Sequence, residues 1–225
     1  MSAHSAKGSA AGLAQVVTWS EGEALVTVDA LLVHDDVARL VRALEATPGQ
    51  VVEPEQPMRR AAIALVLRMG ELGEPELLMI KRAEVERDPW SGHVACPGGR
   101  MEPGDLDLAQ TAMRETWEET GIELTRIGRV LGTLDDISPR TPVLPPIIIR
   151  PFVVAVPSDV GIVQSPEVSA AFWVPMSALR DRASWGMGTV QVRGVDREVT
   201  TFTHAGYTVW GLTERVLKQL LERMA

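Results

Sequence analysis

Three carboxylates crowd into Arg114-Glu115-Thr116-Trp117-Glu118-Glu119-Thr120-Gly121. On a helix, Glu115, Glu118 and Glu119 fall at i, i+3 and i+4, so their side chains share one face. Each like-charged pair left bare in water costs about 0.2–0.5 kcal/mol. A hard divalent cation with a preference for carboxylate oxygen offsets that repulsion, and the octet reads as a metal site for Mg²⁺ or Mn²⁺. The plainer alternative is a solvated, charged helix face. A cation held there acts as a Lewis acid and lowers the pKa of bound water. Arg114 stands four residues before Glu118, where its guanidinium can pair with these carboxylates and fix their rotamers.

The elements that must hold this cluster can be read on either side of it. Pro97-Gly98-Gly99-Arg100-Met101-Glu102-Pro103-Gly104-Asp105 is too rich in Gly and Pro for a helix or a strand interior, and reads as a shaped loop. Gly98 and Gly99 free the backbone there to bend close to a metal and phosphates. From Asp105 to Thr120, Leu106, Ala109, Met113 and Trp117 recur at helical spacing and predict the apolar stripe of a helix. Asp105 or Asp107 can cap its start, and Gly121 can supply the left-handed residue that ends it.

This strand, glycine loop and acidic helix resemble the Nudix box, the signature of the Nudix hydrolase family. Gly99 opens the pattern, and Arg114, Glu115, Glu118, Glu119, Gly121 and Ile122 close it. Two departures stand out: Asp105 occupies the place of a glutamate, and eight residues rather than seven separate it from Arg114. The coenzyme A pyrophosphatase branch is similar in tolerating both. It also resembles this chain at Leu77–Arg82, at Gly92-His93-Val94-Ala95-Cys96-Pro97-Gly98-Gly99 and at Trp210-Gly211-Leu212-Thr213, although Trp90 and Ser91 stand where that branch is more often His-rich. The resemblance spans roughly Arg59 to Met224.

It implies an α/β/α sandwich with a mixed sheet, and divalent-metal-dependent hydrolysis of a pyrophosphate bond in a nucleoside-diphosphate-linked small molecule. Coenzyme A or an acyl-coenzyme A is the favoured substrate. ADP-ribose or a nucleotide sugar is the alternative, as is a nucleotide-binding module without catalysis. The resemblance makes Glu115, Glu118 and Glu119 the metal ligands and catalytic carboxylates, with one of them, Glu115 the first choice, doubling as the base. It gives Arg114 the task of holding them, and Glu167 the place of an extra acidic residue near the site.

Other residues carry weaker signals. Arg82 ends a strand just before the box, within reach of a substrate phosphate or simply on the surface. Arg100, with Gly98 and Gly99, is a candidate substrate contact. Asp105 has a water-mediated approach to the metal as an alternative to capping, and Glu102 reads as exposed. His93 and Cys96 lack partners at zinc-ligand spacing, and Cys96 reads as a small buried residue. Trp90, Trp185 and Trp210 are base-stacking candidates for which packing is the better expectation. Arg180–Arg197 is either a phosphate-gathering lid or a solvated hairpin.

Along the 225 residues, the expected organisation is a loose tail (1–15), an N-terminal extension and linker (16–58) and the hydrolase domain (59–225). Val16–Val33 is strand-like and Asp35–Ala46 helical, and their role is open between a share of the pocket and a dimer contact, so a homodimer is one assembly in view. Ala61–Met69, Glu76–Arg82, Leu124–Leu134 and Ala171–Val174 predict strands. Ile147–Val156 does too, with Pro151 placing part of it at an edge or bulge. Thr189–Val192 and Glu198–Thr203 predict a hairpin, and Thr213–Met224 a closing helix. A net charge of −8 argues against broad nucleic-acid binding. No apolar run reaches membrane-spanning length, and one cysteine with no secretory pattern leads to a cytoplasmic expectation.

Overall fold

The computed structural model describes residues 28–53, 58–86, 90–139, 146–192 and 194–225. The expected tail and most of the strand-like segment from Val16 lie outside them. In chain order the elements are α1 (Asp29–Val33), α2 (Asp35–Ala46), β1 (Arg59–Met69), β2 (Pro75–Arg82), β3 (Val94–Ala95), β4 (Gly98–Arg100), α3 (Leu108–Thr120), α4 (Leu124–Ile127), β5 (Arg129–Thr133), β6 (Ile147–Ala155), β7 (Val168–Pro175), α5 (Met176–Arg180), β8 (Trp185–Val192), β9 (Val195–His204), β10 (Tyr207–Trp210) and α6 (Gly211–Arg223).

Seven strands form one sheet, ordered β3-β2-β1-β6-β5, with β4 also on β1 and β7 also on β2. β1 and β6 run parallel while their other neighbours run antiparallel, so the sheet is mixed as expected. Alternation along β1 sorts side chains to two faces. Ala62, Ala64 and Val66 meet Leu108, Ala112 and Met113 of α3 on one side. Leu65 and Leu67 meet Leu40 and Leu44 of α2 and Val216, Leu217 and Leu220 of α6 on the other. Helices thus cover both faces, which is the α/β/α sandwich. The second sheet, β10-β9-β8, includes the expected hairpin.

Several local expectations are corrected. Asp29–Val33 is a helix rather than a strand, and α2 is capped by His34, whose Nδ1 accepts from Asp36 N at 3.3 Å. Of the segment ahead of β1, the described part packs into the core and lines no part of the main cleft. Leu124–Ile127 forms a helical turn before β5 begins. Pro151 sits inside the sheet because β6 lies between β1 and β5. There it falls between the last β5 pair, Thr133↔Phe152, and the isolated bridge Ile137↔Ile149, so its missing N–H interrupts no ladder bond to β5.

The apolar stripe of α3 is also displaced. Leu106 and Trp117 are exposed, and the buried face is Leu108, Thr111, Ala112, Met113, Thr116, Glu119 and Thr120. The threonines can be buried because their hydroxyls donate to carbonyls of the preceding turn: Thr116 to Ala112 O at 2.7 Å and Thr120 to Thr116 O at 2.6 Å.

Candidate active site

The glycine run proves to be a strand. Gly98 and Gly99 pair with Ile63 and Ala62 of β1, so the loop reading gives way to β4 followed by a turn. At Gly98 only glycine fits. Gly98 has φ 151°, and a Cβ on it would lie 2.3 Å from the Ala62 carbonyl oxygen. A Cβ on Gly99 would lie 2.3 Å from Glu115 Oε1. The two bare positions therefore make a window in the sheet through which α3 presents its carboxylates.

α3 starts at the cap Asp107, whose side chain accepts from Gln110 N at 2.8 Å, and stops at Gly121 with φ 69°. Asp105 has a different task from capping. Its carboxylate takes a forked pair of bonds from Arg114, Nε and Nη2 each at 3.0 Å, and further bonds from Thr111 Oγ1 and Glu102 N, each at 2.9 Å. The Arg114 fork is the main reason its carboxyl is held down to about 2. Arg114 Nη1 in turn meets Glu118 Oε2 at 2.9 Å and Glu115 Oε1 at 3.1 Å, and Nη2 donates to the Arg100 carbonyl at 3.0 Å. Bonded to these carboxylates, above all to Asp105, Arg114 is held firmly protonated.

Glu119 is the buried member of the trio, 3% exposed. Its Oε2 accepts from Gly98 N at 2.9 Å, and Oε1 lies 3.6 Å from Arg82 Nη1. Burial lifts its carboxyl to about 8; the Gly98 bond opposes the rise, while the charge of Glu115 adds to it. Burial also raises Glu115, against the lowering pull of Arg114. Glu118 is turned outward to Arg114, its side chain 48% exposed. Among the described residues no three His, Cys, Asp or Glu side chains are gathered tightly enough to hold a metal ion as they stand. The donor chemistry nonetheless fits a hard divalent cation: Glu119 stands against Gly98 and Glu115 against Gly99, two carboxylates whose mutual repulsion a cation would relieve.

The acidic window opens into a cleft of about 520 Å³. Arg82, Gly98, Gly99, Arg100, Glu115 and Glu167 all line it, so the candidate substrate contacts share one cleft with the Glu115 carboxylate. Glu167 is exposed, and its charge adds to the rise in Glu119. Glu102 is likewise exposed, as expected.

Three aromatic residues missed as a group also line the cleft: His93 lies between Trp90 and Trp210, with ring centroids 5.9 and 4.7 Å away. No local spacing signals this, because β10 delivers Trp210 from the far end of the chain. Trp185 instead packs on Phe202 at 5.1 Å and donates Nε1 to Leu179 O at 2.8 Å. Cys96 is buried, its thiol pushed up to about 12 by desolvation, and is inert as a nucleophile. None of the described residues in Arg180–Arg197 lines this cleft, so the lid alternative gives way to the hairpin.

Comparison with known proteins follows the same lines. A family model for the NUDIX domain matches residues 57–190. An uncharacterised Nudix hydrolase NudL of Enterobacter is 32% identical over 166 residues, covering 72% of this chain and 81% of that protein. The NudL of Photorhabdus laumondii is 30% identical over 152 residues, 67% of this chain and 78% of its own length. An uncharacterised protein of Schizosaccharomyces pombe is 33% identical over 147 residues, and the match spans 57% of this chain but only 45% of that relative. Among solved structures, the NUDIX domain of Shewanella oneidensis NrtR, complexed with ADP ribose, overlays with a TM-score of 0.49 at 15% identity over 82% of this chain and 98% of that one.

Proposed function

We propose, because the chain belongs to the Nudix family and is a Nudix hydrolase, that its cleft hydrolyses the pyrophosphate bond of a nucleoside-diphosphate-linked substrate with the help of Mg²⁺ or Mn²⁺, and that coenzyme A is that substrate. The observation that carries the reading is the Glu115–Glu119 pair, two carboxylates made reluctant to ionise and set behind a glycine window at the floor of a cleft. Glu115, Glu118 and Glu119 would hold the cation, Glu118 by turning from Arg114. When bound, such an ion neutralises charge on the phosphoryl oxygens and lowers the pKa of water.

The remaining work falls to side chains. Arg114, anchored by its fork to Asp105, fixes where Glu115 and Glu118 stand. Arg82 and Arg100 reach into the cleft toward substrate phosphates, and Gly98 and Gly99 let those phosphates approach the backbone. Glu115, which lines the cleft, would be the carboxylate that takes a proton from the attacking water. Coenzyme A is favoured over ADP-ribose by the resemblance of Leu77–Arg82, Gly92–Gly99 and Trp210–Thr213 to the coenzyme A branch, and by the apolar residues that also line the cleft, Ile63, Ile137, Ile147 and Ile149, which suit a pantetheine arm better than a second sugar.

The test is incubation with Mg²⁺ or Mn²⁺ and separate samples of coenzyme A, ADP-ribose, nucleotide sugars and dinucleoside polyphosphates, with products read by chromatography. Coenzyme A should be split into two phosphate-bearing halves only when metal is present. No product from any of them, with metal shown by calorimetry to bind, would make the cleft a binding module instead.

A further inference from the structure

A second polar network, centred on the buried Asp136, lies behind the apolar wall of the cleft. Ile137 and Ile149 exchange two backbone bonds of 2.9 Å in an antiparallel bridge, and both side chains line the cleft. Side chains alternate across such a bridge. The neighbours of that pair, Asp136 and Arg150, therefore meet on the opposite face, where Arg150 Nε and Nη2 fork onto the two carboxylate oxygens at 2.8 Å each. The Asp136 side chain is 1% exposed.

The same short turn also receives the segment that precedes β1. Val52 N donates to Asp136 Oδ2 at 2.9 Å, Asp136 N donates to Gln50 O at 2.9 Å, and Gln50 N donates to Asp135 Oδ1 at 2.9 Å. The segment is pressed close: a Cβ on Gly49 would lie 2.2 Å from the Leu134 carbonyl oxygen. α6 closes the network, with Gln219 Oε1 accepting from Asp135 N at 3.1 Å, and Arg223 bonding both Asp135 Oδ1 at 3.0 Å and Thr47 O at 2.8 Å. None of these bonds joins the network to Glu115, Glu119 or Arg114.

We infer that Asp136 is a positioning residue for specificity: pinned by Arg150 and by the backbone of residues 50–52, it fixes the Ile137–Ile149 wall against which the part of the substrate remote from the pyrophosphate is laid. This rests on the cleft being the substrate site, as proposed above. A forked, buried ion pair sets geometry more tightly than a single bond does. An apolar wall contributes binding energy only where its side chains stay in contact. Loosening the wall therefore weakens binding of the remote arm and leaves the reacting end intact, a signature of uniform binding.

The experiment compares wild type with Asp136→Asn and with Arg150→Lys, which keeps the charge while losing the fork. Two readouts are taken. Hydrogen exchange of the Ile137 and Ile149 amides needs no ligand. Affinity for coenzyme A in EDTA, followed by the fluorescence of the cleft tryptophans, needs no turnover. Expected are faster exchange at both amides and about tenfold weaker coenzyme A binding, with KM raised by about the same factor and kcat within about twofold in Mg²⁺. Should Asp136→Asn fail to fold, Arg150→Lys carries the comparison. Unchanged exchange in the folded variants overturns the inference, and so does a loss confined to kcat with KM unmoved. If wild type neither binds nor cleaves coenzyme A, the substrate reading fails separately, and the exchange data alone decide whether Asp136 holds the wall.

Discussion

Replacing Glu119 by Gln should stabilise the metal-free protein at alkaline pH while abolishing its activity, a combination that ordinary loss of packing does not produce. Glu119 is 3% exposed, and burial moves its carboxyl from an ordinary 4.5 to about 8. Between those two values the folded chain keeps a proton that the unfolded chain has released, so stability falls as pH rises through the window and levels off above it. At about 1.4 kcal/mol for each pH unit, the ionised carboxylate costs the fold up to about 5 kcal/mol. Gln preserves the shape and the oxygen that accepts from Gly98 N, and has nothing to ionise.

Urea unfolding in EDTA measures this as the difference between the two proteins, in which the titration of groups not coupled to Glu119 cancels. Near pH 5 the two should agree within about 1 kcal/mol, and near pH 9 the variant should be the more stable by several kcal/mol. Adding Mg²⁺ at the higher pH should stabilise wild type more than the variant. Turnover of the variant should fall by orders of magnitude. A stability difference that stays constant between the two pH values would refute the desolvation argument, and unchanged turnover at saturating metal would remove Glu119 from the ligand set.

Arg114→Lys should lose most of the activity with the fold retained, since a point charge cannot grip Asp105 by two bonds and also hold Glu115 and Glu118; wild-type kinetics would leave Arg114 a structural residue only. Gly99→Ala places a methyl group 2.3 Å from Glu115 Oε1, so kcat should drop about a hundredfold with an unchanged circular dichroism spectrum; a fully active variant would show that Glu115 need not stand where it does. Asp105→Asn should cost about 3 kcal/mol near neutral pH by leaving Arg114 without its main partner. Because that carboxyl is held down from 3.8 to about 2, its contribution is present above pH 3.8 and fades as pH falls toward 2. Acid unfolding of the two proteins should therefore converge, and parallel curves would contradict the pairing.

The sequence by itself determined the acidic helix, its stop at Gly121, the glycines ahead of it and most strands, because each is written in neighbouring residues: spacing at 3.6 or 2, a capping aspartate, a glycine that alone tolerates the left-handed turn; the mixed sandwich followed from the resemblance those residues carry. It misled where burial depends on what another element brings. Trp117 looks like core and is exposed, while Thr116, Thr120 and Glu119 look polar and are buried, since hydroxyls bonded to the preceding turn and a carboxylate bonded to Gly98 N are satisfied there.

The rest of the site was decided only by the tertiary structure. Pairing of β4 with β1 turned a glycine loop into a window, and the path of β10 set Trp210 against His93. The fork from Arg150 tied the segment before β1 to the wall of the cleft through Asp136. These are contacts between residues far apart in the chain, and their free energy comes from closeness in space, which no local pattern of residue types encodes.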